Sequence, residues 1–192
     1  MEAFLISTGV VALAEIGDKT QLLALVLAAK FRRPLPIILG ILVATLANHA
    51  LAGIAGAWIS ATIGPTAMRW ILGVSFIGMG IWTLIPDKLE DDDAADKDAA
   101  PRFGVFGTTL IAFFLLEMGD KTQIATVALA AKYTSLVAVV AGTTLGMMLA
   151  NVPAVLLGEV AAKKLPMHVV HRIAAAIFVA LGVTVLMGYG SV

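Results

Sequence analysis

Between Leu35 and Ile59 the chain carries no Asp, Glu, Lys or Arg, and nearly every side chain is apolar. A helix needs about 20 residues to cross the hydrocarbon of a bilayer, whereas a membrane strand needs about 10 with alternating polarity. Runs this long and this uniform predict helices. Six of them recur, at roughly 3–29, 35–59, 66–86, 104–130, 135–159 and 168–189. The expected class is an all-α integral membrane protein with six transmembrane helices. Composition agrees: 60% of the 192 residues are hydrophobic and 14% charged, against about 45–50% and about 25% in soluble domains. So little charge does not cover a soluble surface. The 13 Lys and Arg balance the 13 Asp and Glu, which argues against nucleic acid as a partner. Without cysteine there is no disulfide and no thiolate metal site.

The first span is expected to be a mature helix. A signal peptide opens with positive charge and a short apolar stretch. This one carries Glu2, has no Lys or Arg before Lys19, and contains Glu15 and Asp18.

The chain repeats itself. Glu15-Ile-Gly-Asp-Lys-Thr-Gln21 returns as Glu117-Met-Gly-Asp-Lys-Thr-Gln123, displaced by 102 positions. Ala28-Ala29-Lys30 returns at the same displacement, and Leu46-Ala47-Asn48 returns as Leu149-Ala150-Asn151, one residue further on. The chain thus divides into a three-helix repeat at 1–86, an acidic linker at 87–103 and a second three-helix repeat at 104–192. An odd number of spans per repeat inverts one half relative to the other, as in many transporters. The linker reads most simply as a solvated loop. The sharper reading is an electrostatic antechamber that gathers cations.

Charges in hydrocarbon cost at least about 2.5–3.5 kcal/mol each on insertion scales. This chain keeps Glu15, Asp18, Lys19, Glu117, Asp120 and Lys121 within spans. An internal Glu15–Lys19 pair would be a structural use of two of them. It would not need a second carboxylate, Gly17, Thr20 and Gln21, nor their repetition as Gly119, Thr122 and Gln123. On a regular helix Glu15 and Asp18 share a face, with Gln21 at its edge, while Thr20 and Thr122 point away and back-bond to the helix, reaching the site only if the glycine distorts it. Gly17 and Gly119 permit close approach or a local break. If the halves are inverted, four carboxylates and the amide oxygens of Gln21 and Gln123 face each other near the midplane.

Carboxylate and carbonyl oxygens suit a hard divalent cation. Four carboxylates at −4 and two lysines at +2 leave −2, which a divalent ion neutralises. Clustered carboxylates in a low dielectric repel one another, so protons and the ion are expected to compete for the same oxygens. Alternating exposure of such a site makes an antiporter. Asn48 and Asn151 sit at equivalent positions and offer either carbonyl ligands or interhelical bonds. His49, whose counterpart is Val152, is expected to be a satisfied polar residue rather than a proton relay. Glu159 and Lys163 read as a boundary ion pair. Gly53, Gly56, Gly73, Gly78 and Gly80 read as helix-packing positions. Trp58, Trp70 and Trp82 read as interfacial anchors.

The duplicated Glu-x-Gly-Asp-Lys-Thr sequence resembles the hallmark of the Golgi-type cation/proton antiporter family of the LysE superfamily, whose bacterial members include manganese exporters. The resemblance covers the whole chain. It implies export of Mn²⁺, or of Ca²⁺ in some members, in exchange for protons. It implies that Glu15, Asp18, Glu117 and Asp120 carry the ion, with Lys19 and Lys121 as essential neighbours. The transported ion is the only metal expected, with no permanent cofactor; the partners are lipid and protons, and no obligate protein partner is evident. Three other readings compete. An intramembrane aspartyl protease carries Gly-x-Gly-Asp, but here Glu replaces its first Gly and no Tyr-Asp pair exists. An amino-acid or other small-solute exporter needs a site for an organic group, and no such set of residues is present. A structural scaffold leaves the six buried charges without a use.

Positive charge orients the chain. The connections after spans one, three and five hold Lys30, Arg32, Arg33, Lys88, Lys97, Arg102, Lys163, Lys164 and Arg172, and the opposite side holds Arg69 and Lys132. The Lys/Arg-rich side faces the cytoplasm. The linker is then cytoplasmic and both termini are periplasmic, in what is expected to be a bacterial inner membrane. A reporter fused to the C-terminus is expected to score as external, and a cytoplasmic signal overturns this orientation.

Overall fold

The computed structural model describes residues 1–85, 103–157 and 167–188. The acidic linker and the Glu159–Lys163 pair lie outside the described residues. Within them the chain forms eight helices and no strand: α1 (Glu2–Glu15), α2 (Lys19–Phe31), α3 (Pro34–Thr62), α4 (Pro65–Thr83), α5 (Gly104–Glu117), α6 (Lys121–Lys132), α7 (Leu136–Leu157) and α8 (Met167–Leu186). Three stretches, Pro34–Thr62, Leu136–Leu157 and His168–Leu186, are long and apolar enough to cross a membrane, and Gly104–Glu117 is a shorter apolar helix. Proline sets two starts: Pro34 and Pro65 open α3 and α4, where the missing N–H has no partner to lose. The outer surface is also apolar. Leu51, Ile54, Val74, Ile81 and Leu115 are each more than half exposed, which suits hydrocarbon rather than water.

The expected first and fourth spans are not continuous helices. Each is two helices joined by a short extended break, α1–α2 at residues 16–18 and α5–α6 at 118–120. The apolar run gives the length correctly. The interruption comes from one glycine in each, which takes a positive φ: +85° at Gly17 and +80° at Gly119. A residue with a Cβ pays a steric penalty there.

Two apolar clusters hold the helices. One joins Val10 and Ala14 of α1 to Leu72 and Phe76 of α4, Leu129 of α6 and Phe178 of α8. The other joins Leu23 and Leu27 of α2 to Ile37 and Ile41 of α3 and to Phe113 and Leu116 of α5. The helix before the first break therefore packs with the helix after the second, and the reverse holds for the other cluster. The two broken segments lie alongside one another in opposite sense.

The duplication extends to the packing. A Cβ at Gly40 would stand 2.9 Å from Phe106 O, and one at Gly142 would stand 2.5 Å from Phe4 O. Both members of the second contact are displaced by 102 from those of the first. Gly53, Gly56, Gly73 and Gly80 are packing positions as expected. Gly78 is not, because nothing lies within 4 Å of its added Cβ. At Gly56 the added atom would meet the Val127 backbone carbonyl oxygen at 2.2 Å, a neighbour that has no rotamer to change. Gly56→Ala is expected to lower stability by about 1–3 kcal/mol through overpacking, read as a lower Tm in detergent. Gly78→Ala is expected to leave the Tm unchanged.

Candidate cation site

Each break is braced in the same way. Gly17 N–H donates to Gln21 Oε1 at 2.9 Å, and Gly119 N–H donates to Gln123 Oε1 at 2.8 Å. Asp18 N–H bonds back to Glu15 O, and Asp120 N–H bonds back to Glu117 O. Asp18 and Asp120 are the N-caps of α2 and α6, yet neither side chain caps its own helix. The carboxylates turn instead toward the other half, while the positive ends of the two helix dipoles lie behind them.

The ion pairs cross the duplication. Lys121 Nζ pairs with Asp18, and Lys19 Nζ lies 3.5 Å from Asp120 Oδ1. The internal Glu15–Lys19 pair is not formed, because the break at Gly17 interrupts the i,i+4 register it requires. The break also reverses the expected direction of the threonines. Thr20 Oγ1 donates to Glu15 Oε2 at 2.5 Å, and Thr122 Oγ1 donates to Glu117 Oε1 at 2.6 Å. Each hydroxyl holds one carboxylate oxygen and leaves the other, Glu15 Oε1 or Glu117 Oε2, without a hydrogen-bond partner.

Of the four acidic residues, Glu15, Asp18 and Asp120 each present an oxygen within 4.8 Å of the others, and all three side chains are buried. Three carboxylates at that spacing could hold a hard cation through oxygen. Glu117 stands outside this triangle but within electrostatic reach of Glu15. The glutamine oxygens point to the Gly17 and Gly119 amides, so each commits one lone pair to the break.

The two asparagines differ. Asn48 of α3 bonds between helices: Nδ2 donates to Phe114 O at 3.0 Å, and Oδ1 accepts from Gln123 Nε2 at 2.9 Å. Asn151 of α7 bonds back to Met147 O at 3.1 Å, leaving Oδ1 unpartnered. Gln21 reaches Ala150 O instead, at 3.0 Å. Exposure differs as well: 23% for the Lys19 side chain and 3% for Lys121.

Sequence reasoning misassigned one histidine and missed another. His49 is not a satisfied polar residue. It is fully buried, neither ring nitrogen has a hydrogen-bond partner, and Nε2 lies 3.6 Å from Glu117 Oε1. Its position next to Asn48, in an uncharged apolar run, was the available signal. His171 of α8 meets the Ile16 carbonyl in the first break at 3.1 Å, a contact with no counterpart in the repeat.

An apolar helical chain with carboxylates buried between two broken helices has the make-up of a membrane carrier. A family model described as "Divalent cation/proton antiporter GDT1" matches residues 3–91 and 105–191, and the chain belongs to that family. It is a family of transporters, which sets aside the intramembrane protease. The chain is also similar to a protein of Vibrio cholerae serotype O1 (strain ATCC 39541 / Classical Ogawa 395 / O395) named "Putative manganese exporter". The two are 49% identical over 179 residues, covering 93% of this chain and 87% of the relative. No solved structure matches the chain.

The crossed ion pairs are expected to differ in weight. Lys121→Met strands a buried carboxylate and is expected to cost about 3–5 kcal/mol, seen as a lowered Tm in detergent. Adding Asp18→Asn is expected to restore part of that loss. Lys19→Met, at a more open position, is expected to cost less than Lys121→Met.

Proposed function

We propose that this chain exports a divalent cation, Mn²⁺ in preference to Ca²⁺, from the bacterial cytoplasm in exchange for protons. The observation that carries the reading is the buried Glu15–Asp18–Asp120 triangle, crossed by lysines from opposite halves. Glu117 completes the carboxylate set, with Gln21, Gln123, Asn48 and Asn151 as supporting oxygens. The preference for Mn²⁺ rests on the family resemblance and on the name of the Vibrio relative.

In this reading the chain crosses the inner membrane six times, as two inverted repeats at 1–86 and 104–192 joined by a cytoplasmic linker. The opposite sense of the broken segments and the matched Gly40 and Gly142 contacts support the inversion. Both termini are periplasmic, and the broken helices meet near the midplane.

The chemistry follows from charge. Lys121 and Lys19 neutralise Asp18 and Asp120 while no cation is bound, which leaves the −2 of Glu15 and Glu117. An entering divalent ion displaces the ammonium groups from the shared oxygens and cancels the remaining −2. Protons compete for those oxygens, so a site that opens alternately to the two sides exchanges one for the other. The unequal asparagine links support such alternation. Asn48–Gln123 is closed in this conformation while its counterpart, Asn151–Gln21, is open. The opposite-facing state would reverse them.

Glu15→Gln and Asp120→Asn are each expected to abolish Mn²⁺ flux into liposomes with a pH dye inside, while the protein still inserts and elutes as a single species. Wild-type flux from either variant removes the site. Mn²⁺ flux by the wild-type protein without opposed proton movement removes the coupling.

A further inference from the structure

The duplicated part of the site is made of oxygen. Carboxylates, amides and threonines recur in both halves, and nothing among them separates Mn²⁺ from Ca²⁺, since both take oxygen ligands. A discriminating group must therefore come from residues that the two halves do not share. His49 is such a residue, because Val152 stands at the matching position.

Its placement is unusual. His49 belongs to α3, which packs on α5 and α6, the two helices flanking the second break. The ring is fully buried and its nitrogens have no hydrogen-bond partner. Buried polar atoms are nearly always satisfied, and an unmet one costs about 1–3 kcal/mol. A residue that serves packing alone does better as valine, which the other half uses. Nε2 faces Glu117 Oε1 at 3.6 Å, and the second oxygen of Glu117 is also unpartnered.

A lone pair on nitrogen and a carboxylate oxygen at this distance fit one cation. Donors about 2.0–2.2 Å from an ion stand at most about 4.4 Å apart, and 3.6 Å falls inside that limit. Imidazole nitrogen is a better donor to first-row transition ions, of which Mn²⁺ binds most weakly, than to Ca²⁺ and Mg²⁺, which are held by oxygen.

We propose that His49 Nε2 and Glu117 form a nitrogen-bearing subsite beside the Glu15–Asp18–Asp120 triangle, and that this subsite selects first-row transition ions over Ca²⁺ and Mg²⁺. The inference rests on the cation-transport reading and names the residue that sets its specificity. The same ion passes from the all-oxygen triangle to the mixed subsite or bridges them through Glu117. An ion that rejects nitrogen gains nothing from the second position.

The test uses the full chain in lipid nanodiscs with Mn²⁺ as the probe. Disappearance of the free Mn²⁺ resonance reports binding, and nitrogen modulation in pulsed electron paramagnetic resonance reports an imidazole ligand. Wild-type protein is expected to bind Mn²⁺ and show the modulation, as is His168→Ala. His49→Val is expected to lose the modulation and to bind Mn²⁺ about tenfold more weakly, with the Mn²⁺-to-Ca²⁺ transport ratio falling by a similar factor. His49→Gln replaces nitrogen with oxygen at similar bulk, and is expected to lose the modulation and the discrimination while retaining transport. Modulation that survives in His49→Val overturns the inference, as does its absence from wild-type protein that binds Mn²⁺. An unchanged ion ratio in either His49 variant overturns it as well. Wild-type protein that binds no Mn²⁺ overturns both this inference and the cation-transport reading.

Discussion

Asp18 and Lys121 come from different halves of the chain, and each makes the other tolerable in an apolar interior. Removing a charge from water costs several kcal/mol even after relaxation, and a close, well-placed partner offsets it. Here the partner is not on the same helix. The second pair, Lys19 with Asp120, repeats the arrangement in reverse. Because each lysine pairs with the aspartate of the other motif, neither half forms its ion pair by itself. The two repeats are held in register by charge as well as by the glycine contacts at positions 40 and 142.

That crossing depends on the breaks. A continuous helix would place Lys19 one turn beyond Glu15 and satisfy the pair locally. With Gly17 at positive φ, the chain turns out of the helix and the glutamate and lysine separate. The glutamate then takes a threonine, and the lysine reaches across. Gln21 and Gln123 cover the amide that each break exposes. The break is thus a constructed element with its own hydrogen bonds, in which every residue from Glu15 to Gln21 has an identifiable contact or conformation.

The unbroken helices were legible because hydrocarbon imposes one strong rule on sequence: about 20 apolar residues per crossing. α3 and α7 match the runs at 35–59 and 135–159 to within a few residues. The carboxylates were legible because charge in such runs is costly and these charges recur. What periodicity hid was the path of the backbone through the motif. A single glycine carries that information, and in most helices a glycine only thins the surface for packing, as Gly56 does here. Face assignments made on an unbroken helix therefore failed for Thr20 and Thr122 and held for no lysine pair. His49 was hidden for a different reason. Duplication drew attention to what recurs, while this side chain matters by standing outside the repeat.

An internal duplication supplies two equivalent arrangements, and in the proposed antiporter an exchange cycle needs them to be unequal at any instant. The structure holds that inequality in a small set of groups. Asn48 bridges to Gln123 while Asn151 folds back on Met147, and Lys19 is open while Lys121 is enclosed. His49 is an inequality of another kind, because no rearrangement gives Val152 a nitrogen. Reversible asymmetry suits the proposed alternation of the site between the two sides of the membrane. Fixed asymmetry suits a choice that must be the same on every cycle, and the identity of the ion is such a choice.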